Sequence, residues 1–191
     1  MLQPAFIEIL LLSHSTIFNK MITRPLTITY PPYYSKYIQL VPETSPTETL
    51  LHQMQAVIQL FNSLTQTQLL FKYAPEKWSV KDVLQHIMDC ERVFAYRMLR
   101  MARFDGTNCA GFEENDYAKN AGADNRNVVE MLDEYKAIRN GSIALIKSLN
   151  PQQLDFIGSA NNMQITARAL VFIMAGHEKH HLNILHERYG I

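Results

Sequence analysis

Near the C-terminal end of the chain, His177, Glu178, Lys179, His180 and His181 read H-E-x-x-H within AGHEKHHLNILHERYGI. Histidines four residues apart on a helix lie on one face with Cβ atoms about 6 Å apart, so both rings can bind one ion. At about 100° per residue, His177 and His181 share a face with Leu170, Ile173, Met174, Ile184 and Leu185, while His180 and His186 lie to the side. That face is apolar, so both imidazoles are predicted to point into a core, where two unpaired rings are costly. A third histidine joins them. His86, in WSVKDVLQHIMDCER, is flanked by Val83, Leu84 and Ile87, one turn from Cys90, on the inward half of its own helix. One inward histidine and an (i, i+4) pair on a facing helix make a three-ligand set of the kind that helical bundles build in their cores. The expected ion is divalent; zinc, nickel and iron all suit imidazole, and the sequence does not distinguish them.

The same five residues also spell the zinc helix of a metalloprotease, with Glu178 as general base. That scheme needs a third ligand downstream, and His186, five residues after His181, matches the face of the pair poorly. It also needs a substrate-binding sheet, for which no strand alternation is evident. Glu178 lies about 100° from the ligand face, so it is expected to matter little. Three neutral imidazoles leave a divalent ion its full charge and at least one open position. Such an ion can acidify water for hydrolysis or hold a thiol as a nucleophilic thiolate.

Other polar groups have two readings each. Cys90 shares the face of His86, but a buried cysteine also serves as simple packing. Arg97 and Arg188, eleven residues after His86 and seven after His181, can receive an anionic group or act as solvated helix-end charges. Glu113, Glu114 and Asn115 either close over the metal or form a solvated loop. Trp78 reads as a packing anchor.

Four helices must position these residues. Ser45-Pro46-Thr47-Glu48 is a capping box with proline at the first helical position, opening a helix to about Leu64. A second opens at Ser79, with Asp82 three residues on, and runs to about Arg103. The third starts near Asn127 and ends before Pro151; the fourth begins after Thr166 and stops at Gly190. The fold expected is all-α, a four-helix bundle spanning residues 45–190. The connection over residues 104–126 is long for a bundle, which suggests a crossover or a lid. Residues 21–44, rich in proline and tyrosine, read as an extended strap on the surface.

Composition narrows the function classes. The 191 residues are enough for one domain with one core, 47% hydrophobic and 19% charged with zero formal net charge. No basic surplus points to nucleic acid, and no polybasic block to a membrane surface. Cys90 and Cys109 form neither a C-x-x-C pair nor a disulfide framework, which fits a reducing cytoplasm. The apolar run AFIEILLLSHS at Ala5–Ser15 lacks a preceding Lys or Arg, is interrupted by Glu8, and is far short of the ~20 residues of a membrane span. Residues 1–20 are therefore expected to have no fold of their own, or to lie upstream of a start at Met21.

Taken together, EKWSVKDVLQHIMDCERVFAYRMLR, GFEENDYAKN and AGHEKHHLNILHERYG resemble the DinB family of metal-binding four-helix bundles. The likeness spans about Tyr30 to Tyr189 and includes the PPYYSKYIQLV strap. By that resemblance His86, His177 and His181 match the three metal ligands, and His180 matches a neighbouring histidine that is not one. The resemblance implies a metal-dependent hydrolase or a low-molecular-weight-thiol S-transferase acting on a small molecule, and a homodimer. The alternative is a non-enzymatic metal-binding stress protein in which the ion staples two helices.

Overall fold

The structure is a computed structural model that describes residues 22–42 and 45–191. The expectations for residues 1–20 lie outside the described residues. Those described contain eight helices: α1 (Ser35–Ile38), α2 (Pro46–Ser63), α3 (Gln66–Leu69), α4 (Val80–Ala102), α5 (Glu114–Ala121), α6 (Val128–Ser148), α7 (Pro151–Asp155) and α8 (Ala167–Tyr189).

The long helices α2, α4, α6 and α8 start where side chains can cap them. Ser45 Oγ accepts from the Glu48 amide at 3.2 Å; at the start of α4 the Asp82 carboxylate accepts from the Ser79 amide at 2.9 Å and Ser79 Oγ accepts from the Asp82 amide at 3.0 Å. Asn127 and Thr166 cap α6 and α8 by accepting from the Val129 and Ala169 amides. Each cap satisfies an amide that would otherwise lack an intrahelical partner. Gly190, at φ +70°, turns the chain out of α8 in the left-handed conformation that glycine tolerates.

Helix α4 packs against α8 and α6, and α2 packs against the same two. Consecutive long helices α2 and α4 therefore face each other across a diagonal, as do α6 and α8. The strap before them is not a plain extended segment. It coils into 3-10 turns at Thr27–Thr29 and Pro32–Tyr34 and then into α1, which lies along α8. The contact is close: a Cβ on Gly176 would stand 2.0 Å from the Tyr37 carbonyl oxygen, so only glycine allows this approach.

Two features depart from the helical expectation. Between α7 and α8 a small antiparallel hairpin pairs β1 (Ile157–Ala160) with β2 (Met163–Thr166) around Asn161 and Asn162, both at positive φ, as such tight turns require. The 104–126 connection contains α5, and Cys109 pairs with the β1 edge through Cys109 N–H to Ser159 O at 2.9 Å and Asn161 N–H to Cys109 O at 2.8 Å. This stitch sets the path by which residues 111–114 return toward the bundle.

The core is in two apolar parts. One gathers the strap, Leu50, Phe94, Met98 and the first half of α8 up to Ala175. The other gathers Val57, Phe61, Val83, Leu84, Ile87, Tyr135, Leu185 and Tyr189. Between them lies a buried polar layer that includes Gln53, His86, Glu91, Arg139, His177, Glu178 and His181.

Candidate metal centre

His86 on α4 and His177 and His181 on α8 meet inside this layer. The Nε2 atoms of His86 and His177 are 3.0 Å apart, and those of His177 and His181 are 3.2 Å apart. The His86 and His181 ring centroids are 4.6 Å apart. Two metal–nitrogen bonds of about 2.0–2.1 Å at a tetrahedral angle would set their nitrogens roughly 3.3 Å apart, so the His86–His177 and His177–His181 separations each suit two ligands of one ion. Cys90 lies beside them, its Sγ 3.6 Å from the ring nitrogens of His86. The donor atoms of His86, Cys90 and His177 lie within 4.8 Å of one another.

Burial sets the charge state of these groups. It pushes His86 down to about 4. His177 and His181 are lowered well below the usual range, by burial first and then by neighbouring histidines. All three rings are therefore neutral at pH 7, with lone pairs available to a cation. Burial, reinforced by Glu114 and Asp89, drives the Cys90 thiol far up, so it is protonated in the metal-free protein.

Aromatic rings wall the cluster. Trp78 lies with its centroid 4.6 Å from that of His86 and stacks over His181 at 6.4 Å. Tyr37 of α1 meets His177 edge-on at 5.4 Å and His180 at 5.3 Å, and Phe94 meets His177 at 5.6 Å. A cavity of about 230 Å³ opens against His177 and Cys90, walled by Tyr33, Tyr34, Tyr37, Phe94, Arg97 and the Gly111–Glu114 segment. A second cavity, of about 220 Å³, reaches His181 from the side of Trp78 and Asn115.

A family model described as the DinB superfamily matches residues 49–185. The chain belongs to the DinB superfamily. Its structure is similar to that of YfiT from Bacillus subtilis, described as a probable metal-dependent hydrolase with an unusual four-helix bundle topology. The two share 20% identity at a TM-score of 0.64, over 87% of this chain and 93% of that one. Likeness at that identity shows the fold. None of the curated proteins matches this DinB-superfamily chain.

Against the sequence expectations, the three histidines come together and His180 stands to the side, half-buried beside Tyr37. Glu113 and Glu114 do return to the cavity that His177 lines, and Asn115 to the one that His181 lines. Arg97 lines the first cavity, whereas Arg188 is exposed. Glu178 lies off the ligand face as expected, but it has a structural role that the sequence reading did not assign. It is 1% exposed and turned aside from the histidine face, toward α6. Its carboxylate accepts from Tyr135 Oη at 2.8 Å and from Arg139 Nη2 at 2.5 Å. Committed to those partners, it is not aimed at the histidine cluster as a zinc-protease base would be.

Arg139 is the centre of a network missed in the sequence. Fully buried, it donates to both oxygens of Glu91 on α4, to Glu178 on α8 and to the Leu50 carbonyl on α2. Burial alone would weaken this cation, but Glu178 and Glu91 outweigh it and hold its pKa well above the ordinary range. One side chain of α6 thus ties together all four long helices. Glu178, next in sequence to His177, locks the rotation of α8 and so the direction in which His177 and His181 point.

Proposed function

We propose that this protein is a metal-dependent enzyme of the hydrolase or thiol-transferase type, with a divalent ion held by His86, His177 and His181. The observation that carries this reading is the convergence of three neutral imidazoles, with His177 at the wall of one cavity and His181 at the wall of another. YfiT, of the same fold, is described as a probable metal-dependent hydrolase, which supports the reading. A bound divalent ion would supply Lewis acidity at neutral pH, enough to acidify a water or thiol in contact with it.

The chain's own residues do the rest. Three imidazoles bring no charge, so the ion's charge is left for the substrate. Tyr37, Phe94 and Trp78 pack against the rings and restrict their planes. The cavity beside His177 has room for a small molecule, and Glu113 and Glu114 at its edge are placed to accept a proton or hold a cationic group.

A second reading rests on Cys90. With its sulfur 3.6 Å from the His86 ring, it could complete a closed four-ligand site that staples α4 to α8 without catalysis. Metal analysis of untagged protein separates the two. His177→Ala should lose most of its bound metal and His180→Ala should keep it. Cys90→Ser should keep it under the enzyme reading and lose it under the staple reading. Ester and amide hydrolysis and thiol-conjugation panels on the loaded protein then distinguish the reaction types. Full metal content in His177→Ala would sink the site.

A further inference from the structure

The cavity beside His177 contains an unmatched charge. Arg97 on α4 is 4% exposed, and its hydrogen bond runs from Nη2 to the Ala110 carbonyl at 2.8 Å. Its Nε is buried with no partner. No carboxylate among the described residues pairs with it, in contrast to Arg139, which holds two. A buried cation is normally paired, because loss of hydration is otherwise uncompensated. Here Arg97 lines a cavity large enough for a ligand to supply the missing anion.

We propose that Arg97 is the receptor for the carboxylate of a small-molecule substrate, whose other end reaches the histidine cluster. The proposal deepens the enzyme reading above and rests on it. Arg97 follows Cys90 by two helical turns, about 10 Å along α4. His177 lines the same cavity, so one ligand can touch Arg97 with its acid end and present its reactive atom to the histidines. A guanidinium with unused N–H donors matches the planar carboxylate fork. Glu113 and Glu114 line the same cavity and oppose a second negative charge, so a monocarboxylate fits better than a phosphate dianion. Tyr34, Phe94 and Phe112 supply apolar walls for the body of the molecule.

Benzoate, benzamide and phenylphosphonate serve as probes, titrated into the full chain with and without zinc. Benzoate should bind the metal-free protein, and Arg97→Gln should weaken it at least about tenfold, the scale of a lost charge-assisted hydrogen bond. Benzamide and phenylphosphonate should both bind more weakly than benzoate, and Arg97→Lys should restore only part of the affinity. Because binding is read on metal-free protein, this result stands apart from any failure of the metal site. Benzoate that binds only with zinc, and equally well to Arg97→Gln, would place the anion on the ion and overturn the proposal. Tighter binding of phenylphosphonate would overturn the carboxylate assignment. A second measurement addresses folding. Arg97→Met should match or exceed the parent in urea midpoint, since it removes an unpaired buried charge; a large loss would make Arg97 an anchor for the Ala110 loop instead.

Discussion

His86, His177 and His181 are held neutral mainly by burial, with His86 pushed down to about 4. In the unfolded chain each titrates near 6.5. Between those values the unfolded state binds more protons than the folded one, so stability rises with pH and falls as the solution is acidified. The contribution is complete above about pH 6.5 and falls away as the pH drops below it, for His86 until about pH 4, at up to about 1.4 kcal/mol per pH unit for each ring. Urea midpoints of the metal-free protein should therefore drop steeply across that window, and less steeply in His86→Phe. A flat profile would mean that the rings are hydrated. Bound metal should be held until the solution is acid enough to protonate these rings in the fold or to unfold the chain, since protons and metal compete for the same lone pairs.

At the scale of helices, Arg139 decides how four of them meet. Arg139→Met leaves Glu91 and Glu178 buried without their cation, and should cost about 3–5 kcal/mol in urea unfolding. Glu178→Gln keeps an acceptor for Arg139 and should cost less, about 1–3 kcal/mol. An Arg139→Met protein of parental stability would refute the role given to this layer. The network also marks the limit of what the sequence made legible. Helix ends could be read because Ser45, Ser79, Asn127 and Thr166 are strong caps, and Pro46 and Gly190 sit where such residues belong. The β1–β2 hairpin could not, since four-residue strands leave too little alternation to see, and its one strong signal was the Asn161–Asn162 pair. Helix α5 was hidden because Glu113 is a weak capping residue. The histidines were legible because imidazoles on an apolar stripe call for an explanation. Glu91, between Ile87 and Phe94, and Arg139, between Tyr135 and Ile143, sit on equally apolar stripes. Read one helix at a time each looks like a stripe edge; only the packing reveals that they neutralise one another.

Across the whole molecule, the polar layer separates two apolar compartments and the proposed ion would join α4 to α8 between them. A ligand bound only by the folded state stabilises by mass action, about 2.7 kcal/mol at a free concentration a hundredfold above Kd. For a chain of this size that is a rise of roughly 5–10 °C in melting temperature. The rise should appear with zinc or nickel in the parent and be absent in His177→Ala; an unchanged parent would argue against a site formed on folding. The placement of Trp78 has a practical result for such work. It is the sole tryptophan of the chain, and its indole lies against His86 and over His181. All indole emission from this protein therefore originates at the wall of the candidate centre, so ion binding, ring protonation and unfolding can each be followed by the fluorescence of the native chain, with no label attached.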